Sequence, residues 1–194
     1  MGIRSLSTAS ISTGTKRSKV WDQSAVVITN SYESIATYTV GSTAQSTITF
    51  SSIPSTYKHL QLRASHKSSS PVWATMNLNS DSTASNYASH RLEGTDNSVI
   101  AESFTSSQQN KVFTTYPFFG ASVIDFLNYQ STNTYKTVRG LHGWVGDGVG
   151  GNNGEVNFMS LVWMNTSAIN SISINLSGQT FQQYSHFALY GIRG

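Results

Sequence analysis

The sequence contains no cysteine, few charged residues and no long apolar run. Without cysteine there is no disulfide and no thiolate metal site, so packing, a β-sheet network or oligomerisation must stabilise the fold. Charged residues make up 11% of the chain, against roughly 25% in an average soluble domain. No stretch approaches the roughly 18 apolar residues of a membrane helix, and the start lacks the apolar segment of a secretory signal. We therefore expect no membrane contact, and a protein that acts where it is made or leaves the cell inside an assembly.

Hydroxyl side chains take the place of the missing charges. The 194 residues include 33 serines and 21 threonines, while 38% are hydrophobic and 11% aromatic. Such a polar but weakly charged surface is common in β-rich extracellular and virion proteins, and the apolar content is sufficient for a core. The length predicts one domain of about 150–190 residues together with a tail.

The positive charge is concentrated at the N-terminus. Residues 1–20 hold four cations and no acid, whereas the whole chain carries +3, so the remainder sums to −1. This N-terminal segment has three interpretations: a disordered tail, a segment that contacts nucleic acid weakly, or a segment that docks on a neighbouring protein. The near-neutral body and the lack of aromatic residues among the cations disfavour nucleic acid, while interspersed apolar residues favour docking. The predicted docking residues are Ile3, Arg4, Leu6, Ile11, Lys16, Arg17, Lys19 and Trp21.

Beyond the first 25 residues the apolar pattern has a period of two, which is typical of β-strands. It is clear in 47–50, 59–65, 73–79, 172–176 and 187–192. Clusters rich in Gly, Asn, Asp, Ser and Pro separate these runs and predict turns. The segment 122–129 is rich in Val, Ile, Phe and Tyr, which favours a strand over a helix. About eight or nine strands spaced in this way predict an all-β antiparallel sandwich or jelly roll.

No motif predicts catalysis, a cofactor or a metal. The glycines of GDGVGG (146–151) have dinucleotide-motif spacing, but a strand follows them, so a loop between two antiparallel strands is expected. Cation binding by Asp147, Asn152, Asn153 and Glu155 is a weaker alternative. The five histidines form no ligand or catalytic motif, and structural imidazoles are expected for His90 and His142. The tryptophans are expected mainly in the core or an interface, with sugar stacking as the alternative.

Three stretches carry a resemblance to a known family: residues 31–65, 128–143 and 184–194. Within and beside them, SIPSTYKHLQLR (52–63), the N-Y-x-x-H pattern of Asn86, Tyr87 and His90, and the terminal FALYGIRG are the distinctive phrases. They resemble structural proteins of tailed bacteriophages, especially phages of cyanobacteria and other aquatic bacteria. The resemblance covers residues 31–194, which divides the chain into an extended N-terminal arm (1–30) and a single domain (31–194).

The resemblance implies a non-enzymatic virion protein that assembles as a homotrimer. Its expected role is that of a capsid cement, or decoration, protein that is made in the host cytoplasm and clamps neighbouring capsid subunits on the outer surface. Its expected partners are the major capsid protein and further copies of itself, with no nucleic acid and no cofactor. The alternative is a tail-fibre or tail-associated module that binds host surface glycans, although the chain has no repetitive stalk of the kind that fibres carry.

Overall fold

The computed structural model describes residues 31–104, 110–146 and 154–193. Regular structure in these ranges is β-strand, apart from one turn of 3-10 helix at Ala84–Asn86. The predicted arm, residues 1–30 with all eight docking residues, lies outside the described residues. The strands in chain order are β1 (Tyr32–Thr39), β2 (Thr47–Phe50), β3 (His59–His66), β4 (Val72–Leu78), β5 (Tyr87–Thr95), β6 (Val99–Phe104), β7 (Lys111–Thr115), β8 (Gly120–Leu127), β9 (Lys136–Val145), β10 (Gly154–Trp163), β11 (Ile172–Leu176) and β12 (His186–Ile192).

The strands form two antiparallel sheets. The large sheet has eight strands in the order β1-β12-β3-β8-β9-β10-β5-β6, and the small sheet has four in the order β2-β11-β4-β7. Four strands of the large sheet (β1-β12-β3-β8) and the whole small sheet have the strand order of a jelly roll, in which the chain repeatedly crosses between two sheets. The predicted all-β sandwich is therefore confirmed.

Four further strands extend the large sheet beyond the jelly-roll core. The described residues contain twelve strands rather than the eight or nine expected, because β5 with β6 and β9 with β10 are inserted hairpins. The glycine-rich segment after Val145 joins β9 to β10, which pair along their whole length from Val145 opposite Gly154 to Lys136 opposite Trp163. The strands on either side of this segment are antiparallel, as expected, while residues 147–153 lie outside the described residues.

Alternation of side chains explains why these segments are strands. In β3, Leu60, Leu62 and Ala64 are buried between the sheets, as their spacing predicts. The segment 122–129 lies mostly in β8 and is a strand, as its β-branched and aromatic content predicted. Each inward row then packs on the opposite sheet, and the resulting core includes Ile48, Leu60, Leu62, Met76, Phe113, Phe126, Trp163, Ile174, Phe181, Phe187 and Leu189.

Two residues of the N-Y-x-x-H pattern stabilise the turn that precedes β5. The Asn86 amide donates to Asp81 Oδ2 over 2.8 Å, and the buried Tyr87 hydroxyl donates to the Asp81 carbonyl over 2.8 Å. The same hydroxyl accepts the backbone N–H of Leu78 at 3.0 Å. These residues hold the end of β4 beside the start of β5, so their role is in folding.

Candidate functional site

A row of apolar side chains crosses the outer surface of the large sheet. Leu92 of β5 lies opposite Phe158 of β10, Phe158 lies opposite Leu141 of β9, and Leu141 lies opposite Val123 of β8. Leu92, Leu141 and Phe158 are 53%, 54% and 47% exposed. Because residues in register on adjacent strands lie about 5 Å apart, the four side chains form one continuous ridge.

A second row lies beside the first and has a different shape. Val156 of β10 is exposed and lies opposite Gly94 of β5 on one side and Gly143 of β9 on the other. Gly143 in turn lies opposite Ala121 of β8. One apolar side chain therefore projects between two positions that carry no side chain. We call the two rows the apolar face, defined by Leu92, Ala121, Val123, Leu141, Val156 and Phe158.

The next row along the strands is polar. His90, Ser160, Arg139 and Asp125 follow one another in register across β5, β10, β9 and β8. Arg139 and Asp125 are opposite charges on directly paired positions. An apolar centre beside a polar border is the usual anatomy of a protein interface. His90 is exposed here, so the expectation of a structural imidazole is wrong for His90.

An open cleft of about 490 Å³ lies at one end of the apolar face. Its lining includes Phe119, Gly143, Trp144, Val145 and Val156. The Trp144 ring stacks on Tyr116 with centroids 4.0 Å apart, which fixes one wall. The cleft is predominantly apolar and adjoins the face, so a partner that covers the face would also reach it.

A network of polar side chains lies beneath the face, on the inner side of β5, β9 and β10. His142 Nε2 lies 3.1 Å from Glu155 Oε1, and the Thr114 hydroxyl donates to the same oxygen over 2.9 Å. The Asn157 amide donates to Glu155 Oε1 and to Glu93 Oε2, at 3.2 and 2.9 Å. All five side chains are buried. His142 is thus the structural imidazole that the sequence predicted.

The two buried carboxyls respond differently to this environment. Burial alone would raise the pKa of Glu155, but hydrogen bonds with His142, Thr114 and Asn157 outweigh it and lower the pKa below its usual value. Burial, followed by the negative charge of Glu155, raises the pKa of Glu93 despite its ion pair with Arg91. The hydrogen bonds among these largely buried groups join the inserted strands β5, β9 and β10 to one another and to β7.

A second buried histidine contacts two hydroxyls. His66 Nε2 lies 2.7 Å from Ser122 Oγ, and His66 Nδ1 lies 3.1 Å from Thr115 Oγ1. The ring stacks on Phe113 with centroids 4.2 Å apart. Burial, with a smaller contribution from His142, lowers the pKa of His66 to about 3. This serine–histidine contact is enclosed in the core, with a threonine where a catalytic triad has a carboxylate.

The residues predicted from sequence have separate outcomes. The arm residues, and Asp147, Asn152 and Asn153 of the cation alternative, lie outside the described residues. Glu155 is described, and its carboxylate is engaged with His142, Thr114 and Asn157. Among described residues, no cluster of three or more His, Cys, Asp or Glu is arranged to bind a metal. Trp144 and Trp163 are buried, in agreement with the expected packing role.

Sequence reasoning missed the apolar face, although a signal was present. In β10, Val156 and Phe158 point outward while Met159 and Leu161 point inward, so apolar residues occupy both alternating sets. A strand that is apolar on both sides is typical of a sheet covered on both sides.

The fold and the face define an antiparallel jelly-roll sandwich with an extended sheet and an uncovered apolar surface. No family model, curated protein or solved structure matches the chain. In the described part of the chain, no helix has the length and apolar character needed to cross a membrane.

Proposed function

We propose that this chain is a non-enzymatic structural protein that binds other protein subunits, and specifically a capsid decoration protein of a tailed bacteriophage. The observation that carries the proposal is the apolar face on a jelly-roll body. A sheet surface with exposed Leu92, Leu141 and Phe158 is suited to contact with another protein rather than to conversion of a small molecule. The family resemblance supplies the virion context.

The arm supplies the second part of the proposal. Its apolar residues anchor each copy on the major capsid protein at the outer surface, while its four cations steer the arm toward acidic surface. In a homotrimer, three arms act together, and the first contact raises the effective concentration of the other two. Several weak contacts then clamp neighbouring capsid subunits more firmly than one.

Capsid binding by arm variants tests this proposal. The full-length protein and a variant lacking residues 2–20 are mixed with capsids devoid of the protein, and bound protein is measured after sedimentation. The full-length protein is expected to sediment with capsids, whereas the truncated protein stays in the supernatant and retains the far-UV circular dichroism of a β-protein. Equal binding by both proteins would refute the docking role of the arm.

Two matched variants separate the apolar anchors from the charges. One replaces Ile3, Leu6, Ile11 and Trp21 by serine, and the other replaces Arg4, Lys16, Arg17 and Lys19 by glutamine. The first is expected to abolish capsid binding at every salt concentration. The second is expected to slow association and to remove its dependence on salt, because charge steering is screened by ions.

One observation favours the glycan-binding alternative. Tyr184 is 71% exposed and has φ 71°, a left-handed conformation that bulky residues rarely adopt. An exposed aromatic ring held in a costly conformation suits stacking on a sugar. This alternative predicts adsorption of the purified protein to host cells, weakened by Tyr184→Ala, and only a few to tens of copies per particle instead of hundreds.

A further inference from the structure

We propose that the apolar face is covered by a second copy of this chain. The inference names the partner of one surface within the proposed assembly, and it rests on the proposed function only in taking the protein to work as an assembly. Three features of the described residues support it: the charge of the face, its size and its shape.

The charge of the face favours contact with a second copy of this chain. The two apolar rows contain no formal charge, so two copies can meet without burying an unpaired ion or opposing like charges. In the neighbouring polar row, Arg139 and Asp125 occupy paired positions and carry opposite charges. This polar row therefore presents one positive and one negative side chain to a second copy. A strongly charged partner, in contrast, would meet no charge of opposite sign at the centre of the apolar face.

The size of the face matches the apolar centre of one ordinary interface. Strands about 4.8 Å apart and residues about 3.4 Å apart give a footprint on the order of 400 Å², including side chains. A standard interface buries roughly 800 Å² on each partner, somewhat more than half of it apolar. The apolar face with its polar border therefore provides about what one stable contact between copies needs.

The shape of the face supports interdigitation with a similar surface. Val156 projects between Gly94 and Gly143, so the row offers one projection and two depressions within three adjacent strands. A Cβ atom at Gly94 would lie 3.6 Å from the Val156 side chain, in ordinary contact, so packing within the chain does not by itself require glycine at that position. A Cβ atom at Gly143 would lie 3.1 Å from the backbone carbonyl oxygen of Glu155, so close packing within the sheet already favours glycine there. Glycine at these positions leaves room for the side chains of a second sheet, which packs about 10 Å away.

The test is the mass of the full chain in solution, measured by light scattering and sedimentation velocity over a range of concentrations. The mass of the wild-type particle is expected to be a multiple of the 21.1 kDa mass of one chain. Leu141→Asp and Phe158→Asp are each expected to weaken association by at least about 30-fold, as for a residue at the centre of an interface. Both variants are then monomers at micromolar concentration.

Two additional variants guard against misfolding and nonspecific effects. Tyr135→Asp changes a side chain of similar exposure, 57%, in the turn before β9 and away from the face, and is expected to associate like wild type. Leu141→Thr introduces a β-branched residue, which strands favour, and is expected to weaken association while retaining the unfolding temperature within a few degrees. This variant decides the question if the aspartate variants do not fold.

Several results would overturn the inference. One is a wild-type protein that is monomeric. Another is normal self-association of the folded Leu141→Asp, Phe158→Asp and Leu141→Thr variants. The third is a loss of self-association with Tyr135→Asp as large as that with the variants in the face. A monomeric wild type whose capsid binding is lost in Leu141→Asp would assign the face to the capsid subunit instead. Failure of the proposed function gives a different pattern, in which wild-type protein associates with itself but does not bind capsids.

Discussion

Replacement of His66 by glutamine is expected to reduce the loss of stability of this protein in mild acid. The imidazole is buried, is flanked by the hydroxyls of Thr115 and Ser122, and stacks on Phe113. Among the described residues no carboxylate forms an ion pair with the ring, so no negative charge there offsets a proton added to it. Burial accordingly lowers the pKa of His66 to about 3 in the folded protein.

The sign and the size of the effect follow from this pKa. The unfolded chain, in which a histidine has a pKa of about 6.5, binds more protons than the folded chain at every pH between about 3 and 6.5. The contribution of His66 to stability is complete above pH 6.5 and is lost as the pH falls toward 3. Between pH 7.5 and pH 5 the loss amounts to about 2 kcal/mol of unfolding free energy.

The assay is urea unfolding followed by tryptophan fluorescence at fixed protein concentration, repeated between pH 7.5 and pH 5. Glu155 and Glu93 also change stability with pH because their pKa values are shifted, but both are present in wild type and variant. The difference between the two proteins therefore isolates His66. Wild type is expected to lose about 2 kcal/mol more than His66→Gln over this range.

Thr115→Val is the matched control. It removes one hydroxyl beside His66 at nearly constant volume and is expected to cost about 1 kcal/mol at every pH. Because burial of the ring is the main cause of the low pKa of His66, the dependence on pH should stay that of wild type. Parallel curves for wild type and His66→Gln would refute the argument.

Three further substitutions test the fold. Gly191→Ala places a Cβ atom in steric overlap with the ring of Tyr57 and is expected to lower the unfolding free energy by about 1–3 kcal/mol. Unchanged urea unfolding would contradict this. Tyr184→Gly relieves the backbone strain of a left-handed residue with φ 71° and should raise the unfolding free energy by about 0.5–1 kcal/mol. A lower unfolding free energy would show instead that packing of the Tyr184 ring stabilises the fold. Asp81→Ala removes the acceptor of the Trp163 indole N–H, 2.8 Å away, and should cost about 2–3 kcal/mol with a change in tryptophan emission, an effect that Asp125→Ala should not reproduce.

The sequence predicts a strand best where one side of the strand is polar. In β3 and β4 the alternation is clear, because one set of side chains is buried between the sheets, while the other set is mostly polar and, apart from Gln61, less buried. In β10 both sets are largely apolar, so the pattern alone does not show which side faces the core. The sequence pattern therefore predicts fewer strands than the twelve of the described residues, and the difference lies in the inserted hairpins.

The candidate site lay beyond sequence reasoning for a different reason. Leu92 and Phe158 are 66 positions apart in the chain and become neighbours only through the pairing of β5 with β10. A shift of one residue in that pairing would turn Phe158 toward the core and destroy the row. His66 and Ser122 likewise meet only because β3 and β8 are adjacent. Nothing local in the sequence specifies these partners.

The amino-acid sequence by itself determined the all-β class, the sides of the regular strands and the absence of disulfides. These properties depend on single residues and on spacings of two, which are local. Only the tertiary structure decided the strand order, the burial of His66, and the assembly of Leu92, Phe158, Leu141 and Val123 into one exposed ridge. Those features depend on register between distant strands, which the packing of the whole sandwich selects.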